Sequence, residues 1–591
     1  MKKHYETHVE DTDKLISVAG PVLDYKSWYE QYRKLMEEQA QRKYGLYTPT
    51  SEGDDDDFPS IPGITARYSA LGLTNEQMAA NPVWKNLTGN GHDLQMKNFS
   101  WKGMSGVGGY VGDFSKWVNN RDTTEIGITK SNSKVIIDVK VSQGSGKNIV
   151  FISKSNLGIS NNVTIKITST YPEGVMKFAN SASNKYLKLP SNGIITLQDN
   201  PEYTSNEMHL HLASADLGQI TIEQLPLYPG ALVFDGVDDY GTCNNFPILT
   251  KEKGYTVVAL RQWITRGEIA QGLVSNVKNW LKDGAFLLEY RNIQADHLNK
   301  PISFGAIGSE MDLPHILTYQ TSKSYNGVSI TTGNFEGTDV LHVGKLAPTN
   351  VETCINAAIW ELVFLDHDAT EEELTKIKDY FIKTYPWLFP NQAWTVTGKT
   401  NQDEDRATIA NITGNGNDLV LSNFGFIEGS GYNEEGEYEG YLITDGVDDI
   451  ASSNTIIYEA DFTFIGEWKF IQKDDTVAGI NSSSHLYIQN RYNRGATVMI
   501  NSTFENKKNI TDYMTFKAIT SKGKAYDENW NEVDLLYGDG NKGPSGVNIG
   551  GQGGTEFCHM IFKNMALYMN KVFSKDDCIK AYNYLQTLKA K

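Results

Sequence analysis

Apolar and polar residues alternate in short runs along most of this chain. Tyr255–Leu260, Asp461–Ile465, Val135–Val141, Val163–Thr168 and Ile220–Ile222 all do so, and Gly, Asn and Asp bound them. A period of two with turn residues at both ends predicts antiparallel strands with one face buried. Two stretches depart from it. LTKIKDYFIKTY after Thr370 and CIKAYNYLQTL after Ser574 have helical spacing. Each follows a hydroxyl residue and an acidic first turn (Glu371–Glu373; Lys575-Asp-Asp577), which predicts an N-cap and carboxylates near the positive end of the helix dipole.

A repeat organises the strands. Asn86–Trp101 (NLTGNGHDLQMKNFSW) aligns without gaps on Asn411–Phe426 (NITGNGNDLVLSNFGF) at an offset of 325, with nine of sixteen positions identical. The Asn-Gly in each block predicts a type I′ hairpin turn, with φ > 0 at both central residues. A second block pairs Leu232–Tyr240 (LVFDGVDDY) with Leu442–Ile450 (LITDGVDDI). A third pairs Cys354–Asp366 (CINAAIWELVFLD) with Cys558–Asn570 (CHMIFKNMALYMN) at an offset of 204, which also sets Thr370 on Ser574. Three blocks in one order define a duplicated domain. Between the first and second blocks, 149 residues separate Asn86 from Asp235 but only 34 separate Asn411 from Asp445, so the first copy carries about 115 extra residues. The expected division is 1–58 as a helical anchor and acidic linker, 59–111 and 228–390 as a split first jelly roll, 112–227 as an inserted β-domain, and 391–591 as a second jelly roll.

The N-terminal segment is helical in pattern. Tyr25, Trp28, Tyr32 and Leu35 follow a 3-4-3 spacing, Ser27 and Glu30 form a candidate capping box, and Gly45 ends the run. SEGDDDD at 51–57 then reads as a solvated linker. An exposed apolar stripe needs a partner, so these four residues are the expected anchor. They would make a homo-oligomer, a trimer with a dimer as the alternative, and join it to other proteins.

Composition narrows the function. The chain has 591 residues, 53 glycines, 31 tyrosines and a net charge of −18. That is a folded, strand-rich composition, and its acidity disfavours nucleic-acid binding. The first twenty residues lack the apolar core of an export signal, and no run of about 18 apolar residues predicts a membrane span. The four cysteines, Cys243, Cys354, Cys558 and Cys578, match neither a zinc spacing nor a disulfide scaffold and read as buried thiols.

FDGVDDY, followed by an aliphatic strand and an acidic-capped helix, resembles the concanavalin A-like lectin/glucanase superfamily in its laminin G-like branch. The resemblance covers 61–390 without the insert, and 391–591. It implies a mainly β fold: two jelly-roll sandwiches, an inserted small β-domain and an N-terminal helix. TGNGNDL together with TDGVDD is similar to segments of structural proteins of tailed phages of gut bacteria, including crAss-like phages.

Laminin G-like domains can bind calcium, which makes Asp235, Asp238 and Asp239, with Asp445, Asp448 and Asp449, metal candidates. The same residues also suit an Asx-type turn. His209 and His211 share one strand face and are weaker metal candidates. Glucanases of this fold resemble one another in Glu-x-Asp-x-x-Glu. Glu310-x-Asp312, Glu459-x-Asp461 and Glu532-x-Asp534 begin that motif but end in His315, Phe464 and Tyr537. Trp263, Trp280, Trp468 and Trp530 are candidates for stacking on sugars or for the core.

The expectation is therefore a non-enzymatic virion protein, a head or tail fibre or decoration, presenting lectin-like domains to host glycans or proteins. Its alternatives are a bacterial carbohydrate-binding surface protein and, last, a glycan hydrolase.

Overall fold

The structure is a computed structural model. It describes residues 57–590 except 120–123, 142–146, 154–162, 181–184, 198–206, 214–215, 250–251, 266–270, 277–286, 292–304, 308–315, 330–337, 346–353, 437, 472–476, 483–484, 492–494, 502, 507–515, 541 and 553–555. The expected N-terminal helix lies outside the described residues.

The protein is mainly β, built of antiparallel jelly-roll sandwiches. In the first, an eight-stranded sheet centres on Asn356–Leu365, which pairs with Thr256–Trp263 on one edge and with Ile64–Ser69 and Leu232–Asp235 on the other. A seven-stranded sheet containing Leu94–Lys97, Tyr240–Asn244 and Val340–Val343 faces it. The second sandwich repeats the plan. Met560–Met569 takes the central place, flanked by Phe462–Phe470, Gln392–Thr395 and Leu442–Ile443, and an eight-stranded sheet with Leu419–Ser422 and Ile450–Ser453 faces it. Each sandwich encloses its own apolar core, around Trp84, Phe234 and Phe364 in one and Phe464, Ile488 and Phe562 in the other.

The extra length of the first copy folds as two five-stranded sheets, one holding Lys147–Ser153 and Glu207–Leu212, the other Lys134–Val139, Val163–Ser169 and Gly218–Gln224. They close on Phe114, Trp117, Ile137, Phe178 and Leu210. The chain enters and leaves through a neck where Gly108 N–H bonds to Ala231 O at 2.8 Å, Leu227 N–H to Gly109 O at 3.0 Å and Tyr228 N–H to Gly108 O at 2.8 Å.

The repeat is visible bond by bond. Asn86 Oδ1 accepts from the Thr88 amide at 3.2 Å, and Asn411 Oδ1 from the Thr413 amide at 3.1 Å. The Asn86 amide donates to Asp93 at 2.9 Å, the Asn411 amide to Asp418 at 2.7 Å. Asn98 Nδ2 reaches Asp238 O at 3.0 Å, and Asn423 Nδ2 reaches Asp448 O at 2.9 Å. These bonds explain why the Asn-Gly hairpin is not formed as expected. Trp84 pairs with Leu94 and Ile409 with Leu419, so the asparagine and aspartate side chains tie down a longer loop. The consecutive positive φ values fall one residue later, at Gly91 (74°) and His92 (64°), and at Gly416 (71°) and Asn417 (65°).

The third block is also corrected. Ile355 N–H bonds to Gly344 O at 3.0 Å where Cys558 N–H bonds to Gly550 O at 2.8 Å. Ile359 pairs with Leu232 where Phe562 pairs with Leu442. The structural offset is therefore 203. A match of cysteine to cysteine slips the strand by one residue, which would set every inward side chain on an outward one. One added residue after the second strand restores 204 at the helix caps. There, α2 (Glu371–Thr384) begins with a capping box between Thr370 and Glu373, and α3 (Lys575–Gln586) with Ser574 accepting from the Asp577 amide. Helix α1 (Asn75–Ala80) has a capping box at Thr74.

The outer faces of the two central strands do not meet water. Trp360, Val363 and Leu365 from one, Ala566 and Tyr568 from the other, and Ile377, Phe381, Ile579 and Tyr582 from α2 and α3 form a further core between the sandwiches. Tyr568 donates its hydroxyl to Trp387 O at 2.8 Å. Both strands carry a β-bulge, so two successive residues face this shared layer: Trp360 and Glu361, then Lys563 and Asn564. Buried Glu361 pairs there with buried Arg67 and accepts from Tyr385 Oη at 2.9 Å. Arg67 also donates to Tyr380 Oη at 2.6 Å and lies 4.1 Å from the Phe58 ring centre. Removing one member of such a pair leaves the other charge uncompensated, so Glu361→Ala is expected to cost about 3–5 kcal/mol. Urea denaturation followed by tryptophan fluorescence checks this, with Glu361→Gln losing less.

Candidate functional site

The Asp-Gly-Val-Asp-Asp segments form matching turns. Asp235 Oδ1 accepts from the Val237 amide at 2.8 Å, and Asp239 Oδ2 accepts from the Asp235 amide at 3.1 Å. Asp445 and Asp449 do the same at 2.7 and 2.9 Å. The carboxylates of each triad lie within 4.8 Å of one another. Asp239 Oδ1 also takes the Ser105 hydroxyl at 3.1 Å, whereas Asp449 Oδ1 is buried without a hydrogen-bond partner. Calcium seeks about six to eight oxygen ligands, and in each triad the first and last aspartates each give one oxygen to a backbone amide of the turn. Burial, with the charges of Asp235 and Asp238, pushes the Asp239 carboxyl up to about 7 despite the Ser105 bond.

His209 and His211 stand on strand Glu207–Leu212, two residues apart, with His211 paired to Lys177 and His209 to Ala179. Burial and the Lys177 charge lower the His211 pKa. Among the described residues, the groups of three or more candidate ligands are the two aspartate triads, and neither histidine belongs to one.

Of the acid motifs, Glu310 and Asp312 lie outside the described residues. Glu459 pairs with Lys542 at 2.7 Å and Asp461 with Lys522 at 2.9 Å, while Lys524 bridges Glu532 and Asp534 at 2.5 and 2.6 Å. Trp263, Trp468 and Trp530 are buried and build the interior, and Trp280 lies outside the described residues. All four cysteines are buried and outside any disulfide. Tyr25, Trp28, Tyr32 and Leu35 lie outside the described residues as well.

A concavity of about 580 Å³ opens where three parts of the chain meet: the neck at Met104, Tyr110 and Leu227, the insert threonines Thr164 and Thr196, and Lys563, Tyr582 and Gln586 of the second sandwich. That size falls within the roughly 300–1,000 Å³ of small-molecule sites. The bulge between Glu467 and Trp468 leaves Lys563 out of the strand register and puts it on this side. Its ammonium sits 5.2 Å from the Tyr441 ring centre, and no carboxylate is within ion-pair distance of it among the described residues. Gln586 is held by its carbonyl, which accepts from Asn564 Nδ2 at 3.5 Å, and its buried Nε2 has no acceptor. A buried donor left this way costs about 1–3 kcal/mol, so the group calls for an explanation. Behind the wall, Lys517 Nζ bonds to Thr196 Oγ1 at 3.2 Å and lies 4.9 Å from the Tyr582 ring centre. Burial brings its pKa down to about 8.

None of Lys563, Gln586 or Lys517 was singled out in the sequence. One signal was present: Lys-Asn interrupts MIFKNMALYM, a strand otherwise apolar on both faces. The other walls come from segments hundreds of residues away.

The fold defines a mainly β protein of stacked antiparallel sandwiches. No protein-family model matches the chain, and no curated protein matches it. Solved structures do. A Trypanosoma rangeli sialidase in complex with sialic acid matches with TM-score 0.24 and 10% identity, over 78% of this chain and 85% of that one. The botulinum neurotoxin serotype D binding domain matches with TM-score 0.22 and 11% identity, over 55% and 84%. A botulinum neurotoxin type C structure, concerned with cell entry through two ganglioside molecules, matches with TM-score 0.19 and 9% identity, over 55% and 86%. The expectation of a non-enzymatic protein is corrected here: sialidases stand among the structures this chain is similar to, and that expectation is not kept. At these TM-scores the likeness says nothing of substrate or mechanism.

The Asp239 shift has a sign. A carboxyl whose folded pKa lies above its unfolded value (about 3.9) binds more protons in the folded state between the two, so it makes stability fall as pH rises through that window. Stability is expected to decline from about pH 4 to about pH 7 through this group. Asp239→Asn should remove that component, as read by thermal melting across the range.

Proposed function

We propose that the chain is a lectin-like, glycan-binding structural protein of a virion, a fibre or decoration that contacts the host surface. The observation that supports binding best is the concavity at the neck. It joins tyrosine rings, hydroxyls and a fixed amide whose donor has no acceptor, the mixture that apolar sugar faces and ring hydroxyls require. The virion setting rests on the resemblance read from TGNGNDL and TDGVDD in the sequence. In this reading, residues 59–111 with 228–390, 112–227, and 391–591 are the three structural modules. None of the helices among the described residues is long and apolar enough to cross a membrane.

The anchor in this reading is the stripe Tyr25, Trp28, Tyr32 and Leu35, which would assemble a homo-oligomer, a trimer or else a dimer, and attach it to other virion proteins. Each large apolar side chain buried contributes roughly 1.5–3 kcal/mol, enough across four to hold an interface. Sedimentation of the full chain is expected to give an oligomer. Trp28→Asp with Leu35→Asp should give a monomer with an unchanged circular-dichroism spectrum, and an unchanged oligomer would remove the anchor. The binding reading is tested by incubating the full chain with an array of bacterial surface polysaccharides and mammalian glycans. Saturable binding to a defined subset is expected, and no binding to any member would overturn it.

A further inference from the structure

The neck concavity carries a charge pattern as well as a shape. Its lining includes one charged side chain, Lys563, and no carboxylate, in a chain whose net charge is −18. The Lys563 ammonium has the Tyr441 ring beside it and no ion pair among the described residues. A second cation, Lys517, bonds Thr196 and lies against the Tyr582 ring, and it is balanced behind the wall by the buried Glu467 carboxylate, which accepts from Tyr441 Oη and Asn564 Nδ2. Gln586, also in the lining, accepts from Asn564 Nδ2 through its carbonyl, and its buried Nε2 has no acceptor. The lining also includes Thr164 and Thr196, whose hydroxyls bond each other at 3.1 Å, Thr397, the Tyr110 ring and the apolar side chains of Leu225 and Leu227.

We propose that this concavity binds an acidic saccharide unit, with Lys563 Nζ meeting its carboxylate, Gln586 Nε2 donating to a neighbouring oxygen, and the Tyr110 ring against its apolar face. The inference rests on the glycan-binding reading above and specifies its site and ligand class. A carboxylate answers both features at once, since it accepts a charge-assisted hydrogen bond and lowers the electrostatic cost of an unpaired ammonium. A neutral sugar would satisfy the amide and the ring but leave Lys563 without a counter-charge. The volume holds a mono- or disaccharide rather than a long chain, so the acidic unit would be a terminal or branch residue.

The test titrates the full chain with D-glucuronic acid, N-acetylneuraminic acid and D-glucose, read by calorimetry and by saturation-transfer NMR. At least one acidic sugar is expected to bind, with D-glucose weaker by about ten-fold or more. Lys563→Met should lower acidic-sugar affinity by about ten-fold or more, Lys563→Arg should retain most of it, and Gln586→Leu should weaken it with melting temperature unchanged. Gln586→Leu stands as the second probe if Lys563→Met fails to fold. Equal binding by wild type and both variants would overturn the site while leaving a positive glycan array, and the lectin reading, intact. Failure of both acidic sugars to bind the wild type would overturn the ligand class whatever the array shows. An empty array together with silent titrations would remove both.

Discussion

Everything in this molecule depends on two long strands that must be dry on both sides. Asn356–Leu365 and Met560–Met569 are apolar on nearly every residue. A strand with one wet face alternates, and these do not, so each needs a second apolar surface beyond its own sandwich interior. The two copies supply that surface to each other, with α2 and α3 filling the gap. The duplicated units thus share a core. The helix caps at Thr370 and Ser574 serve that layer as well, because they aim the helices whose Phe381 and Tyr582 complete it.

The shared layer also explains the polar residues at its centre. A bulge presents two successive residues to a region that alternation would give to one. In the first copy these residues are Trp360 and Glu361, and Glu361 is matched by Arg67, which also donates to Tyr380, and by Tyr385. In the second they are Lys563 and Asn564: Asn564 is held by Thr395, Glu467 and Gln586, while Lys563 has the Tyr441 ring beside it and no ion pair among the described residues. The same backbone irregularity therefore has a closed electrostatic outcome in one copy and an open one in the other. The open one borders the concavity.

Local physics was legible in the sequence wherever a few adjacent residues decide the outcome. Hydroxyl caps with acidic first turns, the Asp-Gly turns, the buried thiols and the strand periodicity all follow from side chains acting on their own backbone. Errors arose where a local rule competed with a distant partner. Asn90-Gly91 has the chemistry of a tight hairpin, yet Asn86 and Asp93 hold a wider loop. Cys354 and Cys558 look equivalent, yet the burial of Ile355 and Cys558 in matching interiors sets the register one residue away. The concavity could not be read at all, because its walls come from the neck, the insert and the C-terminal helix, and no periodicity links them.

The neck has a bearing on the order in which the chain acquires structure. Strand Ile64–Ser69 is made early, but its partner is Asn356–Leu365, with Ser69 set against Glu361. Loop-closure entropy and synthesis from the N-terminus both delay that pairing. The insert's sheets pair within about a hundred residues and can close while the flanking halves of the first sandwich still lack their central strand. Once closed, the insert brings Gly108 and Tyr228 together at 2.8 Å and turns a long loop into a short one. A segment that looks like an interruption of the first sandwich thus ties its two flanks together at the neck and shortens the loop that the pairing of Ile64–Ser69 with Asn356–Leu365 closes.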